Sequence, residues 1–200
     1  MSMPWDEAVD DLLSEYKKLL GEVAYSWNKL HETLAKLFAT IIGGDSRMIL
    51  AAWHSQVSDR SQREMLRAAI GAVEEHIWER RLPEARKDLI WLLDRADSLA
   101  SMRNYAIHAP VNPSVDFSKR EFVIEPDWFS GNTKAKFLQG KNILDEFAWY
   151  TARGRYLDDY AQAARSALVH NSEVWPPKLP EPTRGQNRSR KASGPKRLPT

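Results

Sequence analysis

Through most of this chain, apolar residues recur at three- and four-residue steps, the spacing of one face of an α-helix. From Asp6 to about Ile42 the stripe is Leu12, Leu13, Tyr16, Leu19, Leu20, Val23, Trp27, Leu30, Leu34, Leu37, Phe38 and Ile41. Gly21 interrupts it, so the pattern reads as one long helix or two, ended by Gly43-Gly44. Asp45 or Ser46 can cap a short helix over about 47–56. Ser58 or Asp59 can cap another over about 60–78, with its stripe at Met65, Leu66, Ala69, Ile70, Val73 and Ile77. Pro83 suits the first turn of a helix that runs to about His108 through Leu89, Leu92, Leu93, Ala96, Leu99, Ala100 and Met102. The last periodic stretch, about 143–169, carries Leu144, Phe147, Tyr150, Leu157, Ala161, Ala164 and Leu168.

Residues 110–142 break this period with Pro110, Pro113, Pro126, Gly131 and Gly140. Arg120 to Glu125 reads as a short strand, with Phe137-Leu138 able to pair with it across Ser130-Gly131-Asn132. From Trp175 onward the chain is rich in Pro, Ser and Arg and nearly devoid of aliphatic residues, so it has little to bury against its ordering entropy. The sequence therefore predicts an all-α fold. A bundle of about five helices fills residues 1–172, residues 110–142 form a small irregular, β-containing insertion, and residues 173–200 form a disordered basic tail.

Charge sharpens the division. The whole chain is +2, yet residues 178–200 hold seven Lys or Arg and one acid, a local +6 that leaves −4 on residues 1–177. A mildly acidic body with a basic tail points to phosphate-bearing partners for the tail or to a solubilising role, in equal measure. There are no cysteines, which removes disulfides, thiolate nucleophiles and Cys-ligated zinc. The histidines at 31, 54, 76 and 170 lack metal-ligand spacing, and no cofactor-binding motif is present, so no metal or cofactor is expected. The acidic start and the lack of a long apolar run imply a cytoplasmic protein with no membrane partner. Trp27, Trp53, Trp78, Trp91 and Trp149 sit at helix-compatible positions and are expected in the core or an interface.

Chemistry concentrates at Arg103-Asn104-Tyr105-Ala106-Ile107-His108. A guanidinium fork matches phosphate, and an imidazole moves protons near neutral pH. Asn104 and His108 are four apart and share a helix face, whereas Arg103 and His108 are five apart and diverge by roughly 140°. One copy cannot easily converge both groups, but two copies across a two-fold axis can, which favours a homodimer with a composite site. The plain structural alternative has Arg103 and Asn104 pairing with Asp94 or Asp97 and His108 acting as a helix cap.

The Arg-Asn-X3-His run at the end of a late helix, followed by another long helix, resembles the HEPN superfamily over roughly residues 5–170. That resemblance implies a HEPN-like antiparallel helical bundle and a metal-independent endoribonuclease leaving a 2′,3′-cyclic phosphate. It implies that Arg103 holds the scissile phosphate, that His108 handles the 2′-hydroxyl proton, and that Asn104 orients one of them. It also implies RNA as the ligand, a toxin, antiviral or RNA-processing role, and an antitoxin or regulatory protein as a possible partner. Pro110 stands where nucleotidylated toxin members carry a tyrosine, so that control does not transfer. Some members are non-catalytic modules that bind a protein, nucleic acid or nucleotide, and this is the competing expectation.

Overall fold

The computed structural model describes residues 4–109, 111–116, 121–126, 135–138, 140–170 and 172–184. Within them are six α-helices: α1 (Pro4–Ile42), α2 (Ser46–His54), α3 (Asp59–Ala72), α4 (Glu75–Arg81), α5 (Ala85–His108) and α6 (Ile143–Val169). A two-stranded antiparallel sheet joins β1 (Val111–Asp116) to β2 (Glu121–Pro126), and Ala135–Leu138 forms one 3-10 turn. The protein is thus predominantly helical with a small sheet. Among the described residues, no helix is long and apolar enough to cross a membrane.

One local alternative is decided and two local expectations are revised. Helix α1 passes through Gly21 unbroken, because a single glycine costs only about 1 kcal/mol in a helix whose flanks are strongly periodic. The segment read as one helix over 60–78 is two, since Val73 and Glu74 adopt extended angles just after Gly71. The partner of the strand at 121–126 is Val111–Asp116, with Val111 opposite Pro126 and Asp116 opposite Glu121, while Phe137-Leu138 lies in the 3-10 turn. The linker's prolines misled the pattern, because Pro113 sits inside a strand that has one neighbour among the described residues, where a missing N–H is tolerated. Asp45 and Ser58 do cap their helices, accepting from the backbone N–H of Arg47 and Ser61 at 2.9 and 3.1 Å.

The chain divides into two compact units. The first draws on residues within 1–25, 100–152 and 182–200, and the second on 26–99 and 153–181.

In the second unit, Leu30, Leu34 and Leu37 of α1, Leu66 and Ile70 of α3, Leu89, Leu92 and Leu93 of α5, and Leu157 and Ala161 of α6 are buried. Phe38 packs its ring 5.4 Å from that of Trp53. Gly154 of α6 meets Ser26 of α1 so closely that a Cβ there would lie 3.0 Å from the serine Oγ. Two ionised groups are also buried. Arg63, 3% exposed, donates to Asp97 at 2.7 Å and lies 5.4 Å from the Trp27 ring centre. Asp88, 4% exposed, accepts from the Tyr160 hydroxyl at 3.0 Å, from Trp175 Nε1 at 3.3 Å and from the Lys178 ammonium.

In the first unit, the Phe147 ring of α6 lies 5.4 Å from Tyr16 of α1 and 6.4 Å from Tyr150, and Ile124 of β2 and Leu138 are buried. Glu146, 5% exposed, accepts from the Tyr150 hydroxyl at 2.9 Å and is forked by Arg184, Nε to Oε1 at 3.0 Å and Nη2 to Oε2 at 3.2 Å. The Arg184 guanidinium also covers the Trp149 ring at 4.4 Å, and Trp149 Nε1 donates to the Pro182 carbonyl at 3.1 Å.

Contacts of this kind continue into residues 172–184, within the stretch expected to form the tail. Residues 172–184 are laid down, with Trp175, Lys178 and Glu181 in the second unit and Arg184 in the first. Glu181 is held by Arg153 at 2.8 Å and Arg95 at 3.0 Å, and the Tyr156 hydroxyl donates to the Leu179 carbonyl at 2.6 Å. Composition alone misses this, because the segment is ordered by indole, guanidinium and ammonium contacts to buried acids rather than by aliphatic burial. The rest of the expected tail, 185–200, lies outside the described residues.

Three outcomes are expected. Gly154→Val should destabilise the protein by about 1–3 kcal/mol through overpacking against Ser26, read as a lower Tm with native helicity retained. Lys178→Met should cost about 1–3 kcal/mol, because it leaves the buried Asp88 with neutral donors alone, and Lys178→Arg should recover part of the loss in a denaturant titration. Burial and the Glu146 charge push the Tyr150 phenol well above its ordinary range. The folded state then keeps a proton that the unfolded state sheds, so this contribution to stability is complete below about pH 10 and declines as pH rises further. Tm measured from pH 8.5 to 11 should fall less steeply in Tyr150→Phe than in the wild type.

Candidate functional site

The site lies in the first unit, on the last two turns of α5, where the burial pattern sorts the side chains by angle. Ala106 and Ala109 are buried, Met102, Arg103 and Ile107 are half-buried, and Ser101, Asn104, Tyr105 and His108 are exposed. At 100° per residue the four exposed positions fall within about 100° of arc, with His108 near its middle. The helix thus presents a hydroxyl, an amide, a phenol and an imidazole on one outward stripe.

Arg103 leaves the helix about 100° from Asn104, outside this stripe and on the half-buried side. Its Nη2 donates to the Asn104 side-chain oxygen at 2.6 Å. That bond fixes the amide's orientation, since the oxygen must face the guanidinium and the NH₂ group remains as the donor. The structure therefore joins Arg103 to Asn104, while His108 stays on the exposed stripe one turn beyond Asn104. Within a single chain the helix keeps Arg103 and His108 about 140° apart, as their spacing requires.

The acids proposed as structural partners for the motif are engaged elsewhere. Asp97 accepts from Arg63 at 2.7 Å and from Arg67 at 3.2 Å, and Asp94 accepts from Arg67 at 2.8 Å. All three contacts belong to the second unit and tie α5 to α3. Sequence spacing suggested those acids only because they lie on the same helix as Arg103; the bundle pairs them across to another.

Three of the other histidines make local contacts. His31 bridges Gln62 and Arg63, its Nδ1 3.1 Å from Gln62 Oε1 and its Nε2 3.1 Å from Arg63 Nη1. Because an arginine can only donate, the Arg63 contact makes Nε2 an acceptor, and the ring is the neutral Nδ1–H tautomer. His76 lies 3.1 Å from Glu74, and His170 Nδ1 lies 2.9 Å from the Ser166 carbonyl. Among the described residues, no group of three or more His, Asp or Glu is arranged to hold a metal ion.

One neighbour of the motif escaped the sequence pattern. Arg184 Nη2 approaches the sulfur of Met102, the residue just before Arg103, at 3.8 Å. A second guanidinium thus stands beside the motif turn, held there by Glu146 and Trp149. No motif or periodicity marks it, since it comes from a segment that reads as tail.

The arrangement offers a fixed guanidinium–amide pair and an exposed imidazole on a helix end, groups suited to an anionic substrate and to proton transfer. Comparison of the chain with family models, with curated proteins and with solved structures finds no match.

Proposed function

We propose that this chain is a metal-independent endoribonuclease of HEPN type, working as a homodimer in which two copies of the motif share one cleft. The observation that carries the reading is the exposed Asn104–His108 stripe with Arg103 hydrogen-bonded to the Asn104 amide oxygen. The HEPN resemblance supports the same assignment, as does the predominantly helical fold with the motif on the penultimate α-helix. The Arg103–His108 divergence supports the dimer, because a second copy can bring its imidazole opposite the Arg103 guanidinium.

In this mechanism Arg103 holds the scissile phosphate, with Asn104 keeping the guanidinium in register. His108 accepts the proton of the ribose 2′-hydroxyl as that oxygen attacks phosphorus. The bond from phosphorus to the 5′ oxygen breaks, and the leaving oxygen takes up a proton from the second His108 of the dimer, leaving a 2′,3′-cyclic phosphate and a 5′-hydroxyl. Charge that builds on the phosphoryl oxygens is met by the guanidinium, a fixed cation that needs no reorganisation.

Cleavage of a labelled RNA pool in EDTA tests the reading. Wild type should cut and leave cyclic phosphate ends. His108→Ala should lose at least about 100-fold of the rate, in line with the contribution of a positioned acid–base group, with the dimer intact by sedimentation. Arg103→Gln should lose activity comparably. Undiminished cutting by highly purified His108→Ala would refute the assignment. Absence of cutting by wild type, together with saturable binding of RNA or protein, would replace it with a non-catalytic helical binding module.

A further inference from the structure

In the second unit, a cavity of about 380 Å³ opens between α1 and α6. Helix α1 lines it with Lys29, Glu32, Thr33 and Lys36, and α6 with Gln162, Arg165 and Ser166. The positions on α1 are separated by three, four and seven residues and those on α6 by three and four, so each helix turns one stripe into the same space. Three cations face one carboxylate. Glu32 bridges the two lysines, 3.0 Å from Lys29 and 2.8 Å from Lys36, and those contacts hold its carboxyl down at about 2. It is therefore ionised at any physiological pH, and the lining carries a net +2.

The polar floor is braced from behind. Asp158, 9% exposed, accepts from the Thr33 hydroxyl at 2.5 Å on one oxygen and from the Gln162 amide at 2.9 Å on the other. Those bonds commit the Thr33 proton and one Gln162 N–H inward and fix both side chains. Arg165 differs. Its Nε is buried and makes no hydrogen bond among the described residues. A buried guanidinium donor without an acceptor is costly and rare, and it marks a place where an acceptor is expected. Here that donor belongs to a residue lining a cavity with surplus positive charge.

We infer that this cavity is a binding site for a small phosphate-bearing ligand of the pyrophosphate class. Arg165 would present its planar fork to the phosphate oxygens, and Lys29 and Lys36 would supply the neutralising charge. The volume lies within the range of small-molecule sites. The inference stands apart from the ribonuclease reading, since it uses none of the motif residues.

The test is calorimetric titration of inorganic pyrophosphate into the full chain at fixed ionic strength, with thermal melts in parallel. Wild type should bind one equivalent per chain and melt higher in its presence. Arg165→Gln should weaken binding at least about tenfold, the equivalent of losing one charge-assisted hydrogen bond. Ser166→Glu, which adds an anion to the lining without touching the arginine, should weaken it as well, so the test does not depend on one variant folding. Arg47→Gln, which removes an exposed arginine outside the cavity, should bind as wild type does. Absence of saturable binding by wild type, or equal binding by folded Arg165→Gln and Ser166→Glu, would overturn the proposal.

Discussion

A charged group removed from water must find its counter-charge within the protein, and much of this fold is arranged around that constraint. Desolvating a carboxylate costs several kcal/mol, recovered only where donors and cations converge on it. Asp88 and Glu146 are both nearly inaccessible, and the residues that answer them, Lys178 and Arg184, come from the polar segment that follows the last helix. Arg63 inverts the arrangement, a buried cation on α3 answered by Asp97 on α5. In each case the partner lies on a different element from the buried charge, so the ion pairs specify which elements lie together while aliphatic contact supplies most of the adhesion.

The sequence disclosed most of what period and capping chemistry control. Leu30, Leu34 and Leu37, or Leu89, Leu92 and Leu93, mark their helices by spacing alone, and Asp45 and Ser58 announce helix starts because a short side chain accepting from the first turn is a local event. The reading fell short where the outcome turned on two distant segments. Val111–Asp116 forms a strand because β2 pairs with it, and nothing inside that proline-containing stretch reveals the partner. Residues 172–184 are positioned by Asp88 and Glu146, and neither acid can be recognised as buried from its neighbours in the chain.

The motif on α5 was legible for the same reason as the helices: Arg103, Asn104 and His108 are local, and a helix converts their spacing into angles. Its surroundings were not. That Asp94 and Asp97 face Arg67 and Arg63, or that Arg184 stands beside Met102, follows from packing across elements. The cavity between α1 and α6 was overlooked for a subtler reason. Lysines and a glutamate at helical spacing look like an ordinary solvated face, and only the facing stripe of Gln162 and Arg165 turns that face into one side of an open cleft.

The segment after α6 carries one more implication. Lys178 answers a carboxylate 90 positions earlier in the chain, and Arg184 answers one 38 positions earlier. Each pair is a single electrostatic unit written in two distant places, so neither half can drift freely. Loss of Lys178 strands a buried anion and loss of Arg184 leaves Glu146 to the more distant Lys141, while loss of either anion strands a cation against an indole; a joint exchange for two apolar residues of similar volume can be neutral. Divergent descendants of this chain would then change positions 88 and 178, or 146 and 184, together or not at all.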